Sequence, residues 1–96
     1  MDVTGNNLGE VLKSEIAIVD FWAPWCGPCL NLAPVVEQIS TDTKVPLYKV
    51  NIEENQELAE KYGVMGLPTV LIFKKGIVKF SFTGTRPKEV YMEALK

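Results

Sequence analysis

The run Ile16–Trp22, IAIVDFW, is apolar at every position except Asp20. A strand that keeps one face in water alternates apolar and polar residues. A continuous apolar run has to be covered on both faces. The run therefore calls for a central strand in a sheet with helices packed above and below it. Ninety-six residues are enough for one such domain and too few for two, so residues 1–96 are read as a single domain.

The rest of the chain supplies the covering elements. Residues 6–14 predict a short helix with Leu8, Val11 and Leu12 on one face. A longer helix is expected to start near Cys26 to Pro28 and to end about Ser40. Leu32, Val35, Val36 and Ile39 form its apolar stripe, and Pro34 is expected to kink it. Residues 45–52 read as a second strand. Residues 55–63 read as a helix, with Glu53, Glu54 and Glu57 at its positive end, Lys61 near its negative end and Gly63 as its stop. Residues 68–82 predict two strands joined by a turn at Lys75 and Gly76. A last helix spans residues 86–95, with Pro87 in its first turn and Val90, Tyr91, Ala94 and Leu95 facing inward. The same pattern admits a short edge strand at Val3 and Thr4. The expected fold class is α/β: a mixed sheet of four to five strands, part parallel and part hairpin, with helices on both faces.

Several function classes are excluded at this point. The net charge is −2 and no basic run exceeds Lys74 and Lys75, which is no nucleic-acid surface. The first ten residues have neither the basic nor the apolar region of a secretory signal, and no apolar run is long enough for a membrane span. The expectation is a cytoplasmic protein with no membrane association. There is no histidine, so imidazole is removed from every mechanism and every metal site.

The only two cysteines are Cys26 and Cys29. Haem attachment would need a histidine where Leu30 stands. A closed zinc site needs two further Cys or His ligands, which one chain lacks, so zinc would require a dimer sharing four cysteines. As a staple, a loop of about four residues constrains little, roughly 2 kcal/mol against about 3 for fifteen residues. A cytosolic thiol pool would also tend to keep it reduced. A redox dithiol fits the local sequence better. A strand, a short turn and a helix place Cys26 at a helix N-terminus, where free N–H groups and the dipole stabilise a thiolate. That thiolate is the attacking species in disulfide exchange. Gly27 leaves room for a substrate disulfide, Pro28 suits a first turn, and Cys29 lies one turn inward, placed to attack the mixed disulfide formed at Cys26.

The segments VDFWAP, WCGPC, YKVNIEEN, YGVMGLPTVLIFKKG and FTGTRP, in this order and spacing, closely resemble the thioredoxin family from Ile16 onward. The resemblance implies the thioredoxin fold and a protein-disulfide reductase without metal or organic cofactor. Its partners would be disulfide-containing proteins and a separate thioredoxin reductase, and it would act as a monomer. By position, Cys26 resembles the nucleophile, Cys29 the resolving thiol, and Asp20 the buried carboxylate that deprotonates it. Lys49 resembles the lysine near that carboxylate, and Pro68 the family's cis-proline. Trp25, Gly66, Leu67 and Gly84, with Gly27 and Pro28, would form the docking surface.

The residues alone leave blander readings open. Asp20 could face solvent at a strand edge, Lys49 could be a solvated strand lysine, and Pro68 could be an ordinary trans turn proline. A thiol oxidase or isomerase on the same fold, and a redox-silent binding module, are the rival functions. Two departures from the family stand out. The N-terminal segment is short, and Leu30 stands where a basic residue is common. Leu30 falls with Ala33, Pro34 and Glu37, away from the buried stripe, and is expected to be exposed near the dithiol.

Overall fold

A computed structural model describes residues 8–96. Eight elements follow in order: α1 (Leu8–Lys13), β1 (Ile16–Trp22), α2 (Gly27–Thr43), β2 (Leu47–Asn51), α3 (Gln56–Lys61), β3 (Thr69–Lys74), β4 (Ile77–Thr83) and α4 (Lys88–Ala94). The four strands form one sheet in the order β2-β1-β3-β4. β1 runs parallel to β2 and antiparallel to β3, and β3 and β4 form the hairpin. The edge strand expected at Val3 and Thr4 lies outside the described residues.

The continuous run of β1 is explained by what covers it. Ala17, Val19 and Phe21 point to one face, where Val11 of α1 and Leu58 of α3 complete a core with Tyr48, Val50, Leu71 and Phe73. Ile18 points to the other face and packs with Leu32, Val36 and Ile39 of α2 and Tyr91 and Ala94 of α4. The two faces are the two parities of one strand. Asp20 shares the parity of Ile18, so it lies on the α2/α4 face.

Boundaries moved where the sequence signal was weak. α2 runs through Pro34 and on to Thr43, past Ser40, and ends on Lys44 in the left-handed conformation at φ 60°. Thr41 and Thr43 donate their hydroxyls to the carbonyls of Glu37 and Ile39, so their polar groups are satisfied within the helix instead of competing for its backbone N–H groups. Leu12, expected to be buried, is 42% exposed, because a helix this short buries only Val11 among the residues from Gly9 to Lys13. β2 is shorter than expected, although Pro46 O and Ile52 N still bond to β1 beyond its ends. Pro87 caps α4 instead of lying in its first turn, and Tyr91 Oη accepts from Arg86 N at 3.0 Å.

The hairpin turn does more than reverse the chain. Lys75 and Gly76 both have positive φ, 53° and 80°, which suits a tight two-residue turn. A Cβ on Gly76 would sit 2.8 Å from the backbone oxygen of Leu12, so the turn is pressed against the end of α1. Gly76→Ala is expected to cost about 2 kcal/mol from the added strain and contact. That would lower the melting temperature by about 10 °C in a circular-dichroism melt.

Candidate active site

β1 ends at Trp22, and a turn at Ala23, Pro24 and Trp25 delivers the chain into α2. Cys26 N donates to Ala23 O at 3.1 Å and closes that turn. Cys26 is then the N-cap of α2, in extended backbone, and its Sγ accepts the N–H of Cys29 at 3.2 Å. Pro28 sits in the first turn, where its missing N–H leaves no bond unmade. Cys26 and Cys29 are joined as a disulfide with Cα atoms 5.3 Å apart. Both are buried, Cys26 at 6% exposure, on an apolar bed of Ala23, Trp22, Ile52 and Leu67.

The second wall comes from the segment before β3. The Leu67–Pro68 peptide bond is cis, and Pro68 is buried. Pro68 O accepts from Gly84 N at 2.7 Å, and Thr69 Oγ1 donates to Gly66 O at 2.6 Å. These bonds hold Gly66 and Leu67 opposite Cys26. Between the two walls lies a groove of about 450 Å³ that brings together Trp25, Cys26, Gly27, Pro28, Gly66 and Leu67. Pro68 and Gly84 stand outside that lining and brace it. Ile52, Ala59, Val64 and Met65 complete the groove, and no motif in the sequence marks any of them as part of it.

Trp25 is 66% exposed at the rim, whereas Trp22 is half-buried beneath. Trp25 Nε1 donates to Glu53 Oε2 at 3.0 Å. Sequence reasoning placed Glu53 only at a helix end. The parallel pairing of Trp22 with Asn51 carries the signal, since it brings the segments after β1 and β2 side by side. Leu30 is 52% exposed just beyond Cys29, as its helical position requires.

Asp20 and Lys49 lie behind this groove on the α2/α4 face. Asp20 is fully buried, and neither carboxylate oxygen has a hydrogen-bond partner among the described residues. Burial pushes its pKa up to about 7, partly countered by the Lys49 charge and reinforced by Glu37. The solvent-facing reading of Asp20 is thereby excluded. Lys49 is the register partner of Asp20 on β2 and is half-buried. Its ammonium pairs with Glu37 at 3.6 Å and lies over the Trp22 ring, 5.3 Å from the centroid. It acts on Asp20 as a neighbouring charge. Among the described residues, no group of three or more His, Cys, Asp or Glu side chains could hold a metal ion.

Three comparisons bear on this geometry. The family model described as Thioredoxin matches residues 2–96. The chain belongs to the thioredoxin family. It is 46% identical to a thioredoxin of Bacillus subtilis over 92 residues, covering 94% of this chain and 88% of the relative. It is 47% identical to a thioredoxin of Rickettsia bellii over 87 residues, covering 88% and 83%. A solved mutant thioredoxin of Halobacterium salinarum superposes with a TM-score of 0.94 at 34% identity, covering 99% of this chain and 86% of that one. Family membership and the joined cysteine pair identify a thiol–disulfide oxidoreductase, a protein-disulfide reductase. Membership also implies disulfide-bearing protein substrates and a thioredoxin reductase as partner.

Proposed function

We propose that Cys26 is the nucleophile and Cys29 the resolving thiol, with Asp20 as proton acceptor and Lys49 as modulator of its charge. One observation carries this reading: Cys26 Sγ lies at the floor of the groove and accepts the Cys29 N–H at the N-terminus of α2. In the reduced protein that N–H and the helix dipole stabilise a Cys26 thiolate. The thiolate attacks one sulfur of a substrate disulfide. A Cys26–substrate disulfide forms, and the other substrate sulfur leaves as a thiolate and takes a proton from water. Cys29 gives its proton to Asp20 and attacks Cys26 Sγ. The second substrate sulfur leaves, the Cys26–Cys29 disulfide closes, and two electrons have passed to the substrate.

An acceptor with a pKa near 7 suits the second step at neutral pH. Asp20 faces α2, the helix that carries Cys29, and the effect of Glu37 on it supports that placement. Leu67, Gly66, Trp25, Gly27 and Pro28 form the docking surface for an extended substrate segment, with Pro68 and Gly84 bracing it. The protein works as a monomeric, single-domain electron carrier in the cytoplasm, recharged by its reductase. No helix among the described residues is long and apolar enough to cross a membrane, which is compatible with that placement.

Insulin reduction with dithiothreitol as electron source tests the reading. The wild type is expected to bring forward the turbidity of the precipitating insulin chains. Cys26→Ser is expected to give only the background of dithiothreitol alone. No acceleration by the wild type would overturn the proposal.

A further inference from the structure

Met65 is the most exposed large apolar side chain among the described residues, at 97%. Nothing in the fold requires it there, since Val64 and Gly66 on either side are half-buried and already shape the loop. It stands on the groove that Cys26 lines, and none of the described residues lining that groove carries a charge. The same groove is lined by Trp25, an exposed aromatic ring held in place by Glu53. Next to the groove lies a surface lined by Glu53, Glu54 and Glu57, with Lys61 as its one basic residue among the described residues.

We propose that Met65 is a specificity-determining residue. With Trp25 it selects an extended segment of a disulfide-bonded protein that carries an aliphatic or aromatic side chain beside its cysteine, and it disfavours an acidic one. The inference rests on the reductase reading above, because the occupant is fixed by Cys26: whatever enters the groove presents a disulfide to that sulfur. An apolar neighbour of the substrate cysteine then removes the exposed thioether and the Trp25 ring from water. Methionine is unbranched and polarisable, so it adapts to side chains of different shape and selects for apolarity more than for one residue. An acidic neighbour would lose water without gaining a partner in an uncharged groove, with three glutamates beside it.

The test uses two synthetic peptides, each closed by one disulfide and identical except for Leu or Glu beside both cysteines. Pre-reduced protein is mixed with each peptide, and the second-order rate of peptide reduction is followed by chromatography. Reduction of hydroxyethyl disulfide by the wild type serves as a check on the dithiol chemistry itself. The wild type is expected to prefer the Leu peptide by about tenfold, equivalent to roughly 1.4 kcal/mol. Met65→Gln is expected to bring the two rates within about threefold of each other, and Met65→Leu to keep the preference. Because the readout is a ratio within one variant, loss of folded protein cancels. Equal rates for the two peptides on the wild type would overturn the proposal, as would a preference that survives Met65→Gln. In both cases the wild type still reduces hydroxyethyl disulfide and the reductase reading stands. Failure on hydroxyethyl disulfide as well would overturn both.

Discussion

Asp20→Asn is expected to stabilise the oxidised protein by up to about 4 kcal/mol at pH 8.5, and by less than about 1 kcal/mol near pH 4. The carboxyl titrates near 3.8 when the chain is unfolded and near 7 when folded, because burial penalises its charged form. Between these values the folded state holds a proton that the unfolded state has lost. Stability contributed by this site is therefore greatest at low pH, falls as pH rises from about 4 to about 7, and is constant above that. Asparagine keeps the size and removes the charge, so it gains where the carboxylate costs. Guanidinium unfolding of the oxidised form at the two pH values measures the difference, with the cysteines locked as a disulfide. Equal gains at both would mean that the buried charge is not the cause. The same variant is expected to turn over insulin more slowly at neutral pH, by about tenfold or more, if Asp20 takes the Cys29 proton. A residue that weakens the fold and speeds the reaction fits the usual opposition between stability and activity.

Cys29→Ser separates the two thiols. It keeps the nucleophile at the helix cap and removes the group that releases the substrate. Incubated with a disulfide-bonded protein, it is expected to accumulate a covalent one-to-one adduct, visible by mass spectrometry and dissolved by dithiothreitol, while turnover falls to background. Cys26→Ser is expected to form no such adduct. The reverse pattern would exchange the two roles. Normal turnover by Cys29→Ser would dispense with a resolving thiol altogether.

The central strand and the dithiol helix were legible because their signals are local. Ile16–Trp22 needed two covered faces, and Cys26, Gly27 and Pro28 follow the composition of a helix start; both stand where they were expected. The end of α2 was not legible, since Thr41 and Thr43 carry no apolar period and the helix stops on a lysine instead of a glycine. Leu12 was misplaced because helical spacing assigns a face without knowing whether a partner covers it. The Trp25–Glu53 bond joins residues 28 apart and emerges only once β1 and β2 are paired. Met65 escaped notice for a related reason. Its chemistry is ordinary, and only its position on the groove beside Cys26 gives it meaning.

β4 is one of the two outer strands of the sheet among the described residues, β2 being the other, and all of its side chains except Phe82 are exposed. Phe82 turns inward against Tyr91, with Phe80 stacked beside it. Residues 77–82 read IVKFSF, and Lys79 is their single charge. An open apolar strand is a template for pairing with a second molecule, and a lysine on it sets like charges against each other when two copies meet. Lys79 on the strand, with Lys74 Nζ over the Phe80 ring 5.7 Å from its centroid, therefore guards this edge against self-pairing. Acylation of Lys79 would remove the strand's own charge and weaken that guard, although the dithiol at the far end of β3 would be untouched.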